Sequence, residues 1–559
     1  MLERITLHAL WVATAVRILV PSASDPDLWG HVLFGNLLLG GVLPTTNGLA
    51  YTVPDHPWVN HELVAEGVMA AVFNLRGAAG LVALKTAVGL ATLALVWRAA
   101  RRRSGERWAA SVATAIAALV MAPGLMIRPQ LFTLLFLALT LDWLAAADYR
   151  ARGPARYLPL VVVLWVNTHG GVLAGVGLAA AGVLAALAGR AALAGGPQRS
   201  DAQRSDAPPL ELGATGLLLL ALGAALLLNP YGTSLLGFLL TGVTPRVPIT
   251  EWAPVALGDR SFLAFKALGV VAGAWLALSG RGRVPETVIV AAAAAAAVLH
   301  RRHIPLFAIA AAPVVAACLA DTVDRLRRRS DLVRTVPLLR AAIGAAAALQ
   351  VALAVAAALR AGGRIEVDAR TYPIQAVRFL SQNAIGGNVA LPFDWGEFAL
   401  WSLPPGSRVA IDGRFTTAYP QPLLDQAWRF MTGAPGWDDL LTRYPTDIVL
   451  ADRTQAPARL LRGHPDWEYV YSDPVSVVFL RRVPSQAAAL ARFDAGALIY
   501  DRTPLDRDFP ALARAASGAG SEHPAADAGA RILHGVAAGA PGPRPAAASA
   551  TLEHAWTDP

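Results

Sequence analysis

The sequence is poor in cysteine, in lysine and in charge of either sign. Its single cysteine, Cys318, lies in an apolar run, which excludes an internal disulfide framework and a metal cluster held by several thiolates. Lysine occurs only at Lys85 and Lys266. Charged residues make up 16% of the 559 residues, against roughly 25% in soluble domains, whereas hydrophobic residues make up 55%. With a mean hydropathy of +0.46, this composition indicates an integral membrane protein.

The net charge of +9 does not indicate nucleic-acid binding. The arginines form short clusters between apolar runs, which is the pattern that sets the orientation of membrane proteins. We therefore expect the lipid bilayer, and no nucleic acid, as the partner of this basic charge.

Apolar runs recur through the first two thirds of the chain. A spanning helix needs about 20 apolar residues, or somewhat fewer where neighbouring helices bury its ends. On this measure the sequence predicts eleven spans, at 6–21, 78–99, 108–123, 129–147, 156–168, 171–189, 213–228, 262–279, 284–299, 304–321 and 337–360. The predicted fold is mainly α: a polytopic bundle of membrane helices over 1–361, followed by a small extracytoplasmic α/β domain.

Arginine clusters fall in alternate connections between these spans. They lie within 98–107, 150–156, 190–204, 281–283 and 325–334. Arginine-rich connections stay in the cytoplasm, so the other connections, including a first loop over 22–77, are predicted to lie outside. The excess of Ala, Gly and Arg over Lys is typical of GC-rich bacterial genomes. The expected location is a bacterial plasma membrane, crossed many times.

After Arg360 the composition becomes that of a soluble domain, predicted over 362–484. Tyr372-Pro373 opens a helix, because proline favours the first helical turn. Short strands are predicted at 388–393, 408–411 and 446–450, and a hairpin at 467–472 and 475–481. The rest of the chain, 485–559, is rich in Ala, Gly and Pro and is predicted to be a low-complexity, largely disordered tail.

The first outer loop holds the densest set of ionisable groups. Asp25 precedes Pro26 and is placed as a helix N-cap, which is a structural role. Asp27 and His31 are four residues apart and share one face of that helix, which suits a general base with its orienting partner or a half-formed metal site. Asp27, His31 and Glu62 are therefore candidate catalytic residues.

A second helix is predicted to begin at Asn60, which is placed as its cap. It brings Glu62 and Glu66 to one face, four residues apart. One such carboxylate is ordinary compensation of the helix dipole, but two of them beside His61 also suit a divalent metal. No spacing here is as specific as His-Glu-x-x-His, so the sequence assigns no cofactor and no metal ligands and leaves a divalent metal open.

Arginines are normally in excess in cytoplasmic connections, so arginines on the outer face indicate a specific role. Arg128, Arg301 and Arg302, with Lys85 near the outer end of its span, are predicted to bind a donor phosphate. Snorkelling to lipid headgroups is the alternative. Further polar and aromatic groups are predicted substrate contacts: Trp29, Trp58, His61, Glu66, His169, Glu251, Asp394, Trp395, Asp412 and Arg414.

Short motifs mark the outer loops and the first domain loops. They are Asp25-Pro-Asp-Leu-Trp-Gly-His, Trp58-Val-Asn-His-Glu, Arg128-Pro-Gln-Leu-Phe, Trp165-Val-Asn-Thr-His-Gly-Gly, Leu228-Asn-Pro-Tyr-Gly, Arg301-Arg-His-Ile-Pro-Leu-Phe and Ile411-Asp-Gly-Arg. This set resembles a family of bacterial multi-spanning proteins similar to the C-type glycosyltransferases, which use lipid-linked donors.

The resemblance implies transfer of a sugar from a polyprenyl phosphate or pyrophosphate to an extracytoplasmic glycan, lipid or protein. It also implies that an acidic residue of the first outer loop activates the acceptor, a catalytic role that falls here on Asp27, with Asp25 as the fallback. Arginines would hold the donor phosphate. A second carboxylate expected in some subfamilies has three competing matches: Glu62, Glu66 and Glu251.

Two other functions fit parts of the pattern. A lipid or polysaccharide transporter would place its binding groups near the middle of the membrane, whereas here they gather at one end. A non-catalytic protein of envelope assembly would use 365–482 as a binding module, and its acidic loop could be changed without loss of function.

Overall fold

The structure is a computed structural model that describes residues 2–195, 211–241, 250–279, 283–328, 335–501 and 507–510. One hydrophobic core lies between the apolar helices, and a second core joins the first interhelical loop to the C-terminal domain. The sequence also predicts a flexible linker at 195–210, which lies outside the described residues apart from Gly195.

Apolar helices form most of the first 361 residues. Numbered in chain order over the described residues, they are α1 Leu2–Leu19, α2 Leu28–Leu39, α3 Leu63–Ser104, α4 Arg107–Met121, α5 Gln130–Ala146, α6 Leu158–Val166, α7 Val172–Gly195, α8 Leu212–Ala225, α9 Thr233–Thr241, α10 Leu263–Leu278, α11 Val284–Leu299, α12 Ile304–Arg328 and α13 Thr335–Ala361. Every segment predicted to span the membrane overlaps one of these helices. The helices α2 and α9 are additional.

Six of the described helices are long and apolar enough to cross a membrane. They are Leu63–Ser104, Arg107–Gly124, Val172–Ala192, Arg260–Leu278, Arg301–Leu326 and Arg340–Ala361. These helices identify the chain as a membrane protein. The other apolar helices are shorter, so the count of eleven spans stays a prediction.

The predicted division of the connections into two groups agrees with the contacts. At the arginine-rich end, Arg98 and Arg102 both pair with Asp142, and Arg103 Nε lies 2.8 Å from Glu286 Oε2. At the other end, Arg128 contacts residues of the first loop and Glu251. The described residues that make these two sets of contacts therefore lie at opposite ends of the bundle.

Helix α3 changes direction at Gly77. This residue has a φ of 59°, in the left-handed region that favours glycine, and it divides the helix into a shorter first part and a longer second part. The first part carries Glu66 and packs on α2. The loop residues thereby form their own layer beside the bundle.

The C-terminal domain is built on a five-stranded mixed sheet with strand order β2-β1-β3-β5-β4. Its strands are β1 Asn388–Ala390, β2 Arg408–Val409, β3 Ile448–Asp452, β4 Trp467–Ser472 and β5 Ser476–Arg481. Its helices are α14 Ile374–Gln382, α15 Gly396–Ser402, α16 Gln421–Thr432, α17 Asp439–Thr442, α18 Ala456–Leu460 and α19 Ala487–Asp494. The predicted strands and hairpin are present, with β1 and β2 shorter than predicted.

The first loop extends this sheet and packs beneath the domain. Ala50 pairs with Val409 of the edge strand β2, and the Tyr51 N–H donates to the Val409 carbonyl at 3.1 Å. Near the start of the loop, the Ser24 N–H donates to the carbonyl of Glu366 at 2.7 Å. Helix α2 packs on α15, so the loop and the domain form one folded unit.

Helix α19 lies in the stretch that the sequence predicts to be a low-complexity tail. It forms because Leu490 and Phe493 pack against the domain core, and the Arg492 guanidinium donates to the side-chain oxygen of Asn383 at 2.8 Å. Further on, Phe509 is buried against Trp29 of the first loop. The disorder predicted beyond Gly518 falls outside the described residues.

Candidate active site

Arg128 lies among three carboxylates that we call the acidic cluster: Asp25, Asp27 and Glu251. Its Nη2 is 2.6 Å from Asp25 Oδ2 and 3.2 Å from Asp27 Oδ2, and its Nη1 is 2.8 Å from Glu251 Oε1. Three separate connections therefore meet here. The guanidinium predicted to bind a donor phosphate is paired with the loop carboxylates, including the predicted base.

The helix that carries His31 begins later than the sequence predicts. Its first residue is Leu28 and its N-cap is Asp27, so Asp25 and Pro26 precede the helix rather than forming its cap and first turn. Asp25 Oδ1 instead accepts the Asp27 N–H at 3.1 Å while its Oδ2 pairs with Arg128. The His31 N–H donates to the Asp27 carbonyl at 2.9 Å, which keeps these two residues on neighbouring turns.

The pKa of the Asp27 carboxyl group lies close to neutral pH. Burial is the main cause and raises its pKa to about 7. The positive charge of Arg128 acts in the opposite direction and lowers the pKa, while the negative charge of Asp25 raises it further. The side chain keeps 28% exposure, so an incoming group can reach it. Asp27 is therefore an accessible carboxylate that gains or loses a proton near neutral pH.

Glu397, which the sequence does not predict as a site residue, lies beside Asp27. It is 3% exposed, its Oε2 forms no hydrogen bond with the described residues, and burial together with the charge of Asp27 raises its pKa well above the usual range. Its carboxyl group is therefore harder to ionise than that of an ordinary glutamate. The available signal was a lone carboxylate in an apolar stretch, two residues after Trp395.

A second group, which we call the histidine cluster, comprises His31, His61, Glu62, Glu66 and His169. His31 Nδ1 is 3.3 Å from Glu66 Oε1 and 3.7 Å from Glu62 Oε2. His61 Nε2 and His169 Nε2 are 3.6 and 3.7 Å from Glu62 Oε1. The structure thus brings together five residues that the sequence predicts in the site.

Opposite charge keeps the proton on His31. Burial alone would lower its pKa, but the hydrogen bond to Glu66 and the charge of Glu62 raise it to about 9. His169 behaves in the opposite way, because burial lowers its pKa to about 3. The two histidines therefore differ in charge, and His169 is neutral at pH 7.

Asn60 and Thr133 hold the histidine cluster in place. The Asn60 side-chain oxygen accepts the Glu62 N–H at 2.9 Å, and its Nδ2 donates to Glu66 Oε2 at 2.6 Å. Helix α3 begins at Leu63, so Asn60 acts before the first turn. Thr133 Oγ1 lies 2.8 Å from His169 Nδ1 and accepts from Trp165 Nε1 at 2.8 Å.

The other cations predicted to bind phosphate differ in their partners. Lys85 is 2% exposed and donates to the Pro21 carbonyl and to Ser22 Oγ, at the end of α1. Arg301 lies 3.7 Å from Asp259 Oδ2 and stacks on Phe262. Lys85 and Arg301 therefore contact residues outside the acidic cluster.

Arg302 forms no hydrogen bond and no ion pair with the described part of the chain. Its guanidinium lies over the ring of Trp252, 4.5 Å from the ring centroid. Its charge interacts with those of Glu251, Arg128 and Glu62. Arg302 is thus a half-buried cation beside the acidic cluster, and its hydrogen-bond donors have no partner among the described residues.

The aromatic residues of the loop form walls around the charged groups. Trp29 is fully buried against Tyr372 and Phe398, and Trp58 is 3% exposed and packs edge-on against Phe34. Their predicted contacts with substrate stay predictions. In this structure they form the hydrophobic core between the loop and the domain.

Four residues of the C-terminal domain are predicted to bind substrate. Asp412 and Arg414 form a buried ion pair, and Asp394 and Trp395 lie near the site. Arg414 pairs with Asp412 at 2.6 Å, lies over Trp58 at 4.4 Å and donates to Asn47 Oδ1 at 2.7 Å. Trp395 Nε1 donates to the Thr371 carbonyl at 2.9 Å, while Asp394 is exposed. Asp412 and Arg414 thus fix the loop against the domain, and substrate binding by these residues stays a prediction.

No protein-family model matches the chain, and no curated protein matches it in sequence. Among solved structures it is similar to the crystal structure of ArnT from Cupriavidus metallidurans bound to undecaprenyl phosphate, with 12% sequence identity and a TM-score of 0.45, over 86% of this chain and 98% of that chain. The resemblance noted in the sequence is confirmed to this extent, as a distant likeness. A likeness of this size says nothing about substrate or catalytic residues.

Proposed function

We propose that the protein is an integral-membrane glycosyltransferase that moves a sugar from a polyprenyl-phosphate-type donor to an acceptor hydroxyl. The observation that carries the proposal is one arrangement of charges: the accessible, near-neutral carboxylate of Asp27 beside Arg128, with the uncommitted Arg302 next to them. A base for a hydroxyl and a cation for a phosphate are the two groups that glycosyl transfer needs.

Asp27 serves the acceptor side of the reaction. A general base works best when its pKa lies near the working pH, and the pKa of Asp27 is raised to about 7. Arg128 holds the carboxylate in place through Oδ2. The acceptor hydroxyl gives its proton to Asp27 as its oxygen forms a bond to the anomeric carbon of the sugar.

Arg302 serves the donor side. Its planar guanidinium can donate two parallel hydrogen bonds to phosphate oxygens, and Trp252 fixes the plane by stacking. When the bond between the anomeric carbon and the phosphate oxygen breaks, the phosphate keeps the electron pair. Arg302 stabilises this added negative charge.

The position of the site suits a donor anchored in a membrane. The charged groups lie where the apolar helices end, beneath the C-terminal domain, so a lipid tail can stay between helices while its phosphate reaches Arg302. From the distribution of arginines, we propose that this end faces outward from a bacterial plasma membrane. The acceptor is then an extracytoplasmic glycan, lipid or protein.

The proposal is tested with membrane vesicles that contain the protein and receive sugar-labelled undecaprenyl-phosphate-linked hexose or pentose. The measurement is label transferred to envelope material. Asp27→Asn should lower transfer by about 10²–10⁴-fold, the contribution typical of a general base. Asp55→Asn, at an exposed position of the same loop, is the matched control and should keep wild-type transfer. Wild-type transfer by Asp27→Asn would refute the assignment of the base, and no transfer by the wild type would refute the function.

A further inference from the structure

Three ligand atoms of the histidine cluster point at one another from two segments of the chain. They are His31 Nδ1 of α2 and one carboxylate oxygen each of Glu62 and Glu66, and all three lie within 4.8 Å of one another. His31 is 7% exposed and Glu66 is 3% exposed, while the Glu62 side chain is 17% exposed. Two carboxylates and an imidazole thus share one largely buried space.

The distances around His31 also suit a shared ion. His31 Nδ1 is 3.3 Å from Glu66 Oε1, which is a long hydrogen bond, and 3.7 Å from Glu62 Oε2, which is beyond hydrogen-bond range. Two ligands each about 2.0–2.2 Å from one metal ion, at a tetrahedral angle, lie about 3.4 Å apart. Both separations from His31 Nδ1 are close to this value, and the three ligand atoms lie within 4.8 Å of one another.

The carboxylate oxygens that face away from this gap have partners of their own. Glu66 Oε2 accepts from Asn60 at 2.6 Å, and Glu62 Oε1 faces His61 and His169. The oxygens that face His31 are the other two, Glu62 Oε2 and Glu66 Oε1. Orientation of ligand carboxylates by outer hydrogen bonds is a regular property of metal sites.

His169 is not one of the three ligands; it belongs to the residues that surround the ligand carboxylates. The Gly171 N–H donates to its Nδ1 at 2.9 Å, so in the neutral ring the proton is carried on Nε2. His169 Nε2 lies 3.7 Å from Glu62 Oε1. The protein ligands then number three, which leaves a position for water or a substrate oxygen.

Charge also favours a cation in this space. No lysine or arginine of the described residues lies within 4.0 Å of the carboxylates of Glu62 or Glu66, since the ion pairs of both are with histidines. A divalent cation would neutralise both carboxylates. It would displace the proton of His31, as metal binding to imidazole does generally.

We propose that His31, Glu62 and Glu66 bind one divalent transition-metal ion. Imidazole favours zinc-like ions and carboxylate favours manganese-like ions, so this mixed set points to Zn²⁺ or Mn²⁺. The proposed ligands do not include Arg302 or Asp27, and the proposal does not depend on glycosyl transfer.

The first test measures metal content in the full-length protein, purified in detergent, stripped with a chelator and dialysed against ZnCl₂ or MnCl₂. The wild type should retain about one ion per chain by elemental mass spectrometry. His31→Gln and Glu62→Gln should lose it, and Asn60→Ala should bind about tenfold more weakly. His56→Gln, a histidine of the same loop outside the cluster, is the matched control and should keep the ion.

Retention of the ion by both ligand variants, or its absence from the wild type, would overturn the proposal. Thermal unfolding and gel filtration identify variants that fail to fold. Should both fail, Co²⁺ absorption of the wild type decides independently, since mixed nitrogen and oxygen ligation gives visible bands and an empty site gives none. Metal content involves no sugar transfer, so this proposal and the proposed function can fail separately.

Discussion

Asp27 and Glu397 both lie against Gly413, although one belongs to the first loop and the other to the C-terminal domain. A methyl group on Gly413 would meet Asp27 Oδ1 and would lie 3.1 Å from Glu397 Oε1. The missing side chain of Gly413 therefore lets two carboxyl groups approach each other across the boundary between loop and domain. Two carboxyl groups so placed cannot both ionise easily, which agrees with the raised pKa of Glu397.

Gly413→Ala should displace Asp27 and reduce glycosyl transfer. The new methyl group needs space that Asp27 and Glu397 occupy, and a shift of about 1 Å in a catalytic group can cost about a hundredfold in rate. Gly48→Ala, in the same loop with open space around its Cα, is the control. Equal transfer by the two variants would show that Gly413 does not position Asp27.

The rate of transfer should rise with pH through about 7. Asp27 acts as a base only when deprotonated, and its pKa is raised to about 7. The check is a pH profile of kcat/KM between pH 5 and 8.5 in membrane vesicles. A rate independent of pH across this range would exclude Asp27 as the group that accepts the proton.

The same pKa shift predicts a stability effect of defined sign. Because burial raises the pKa of Asp27 from 3.8 to about 7, its protonated form favours folding below pH 4, and this contribution is lost as the pH rises through 7. Asp27→Asn should therefore melt at a higher temperature than the wild type at pH 8 and at a similar temperature at pH 4. A variant less stable than the wild type at pH 8 would contradict the shift.

Arg414→Met should destabilise the unit formed by the first loop and the domain. It leaves the fully buried Asp412 without its cation and removes the stack on Trp58. Loss of one partner of a buried pair costs about 3–5 kcal/mol. Arg370→Met removes an exposed partner of Asp368 and should change the free energy of unfolding by less than about 0.5 kcal/mol. Equal melting temperatures for the two variants would contradict a structural role for Arg414.

Hydrophobic length and turn chemistry were sufficient to predict most of the fold. The apolar segments from 6–21 to 337–360 each contain a helix, and the hairpin at 467–481 forms across Asp473 and Pro474 as predicted. Such elements follow from local patterns. Helix α19 was missed because its stability comes from packing of Leu490 and Phe493 on a distant core.

The site was predictable in its residues but not in its pairings. The density of ionisable groups in the first loop indicated Asp27, His31 and Glu62. It could not show that Arg128 is occupied by carboxylates while Arg302 is not, since the partners come from other connections. Glu397 was missed for the same reason, because only folding brings it to Asp27.

Binding of undecaprenyl phosphate to purified protein tests most directly whether a lipid phosphate lies at Arg302 beside Asp27. Arg302→Gln should weaken binding about tenfold to a hundredfold, the effect of losing a charge-assisted hydrogen bond. Arg301→Gln should bind like the wild type, because Arg301 is turned towards Asp259. Unchanged binding by Arg302→Gln, or an equal loss in both variants, would contradict the account.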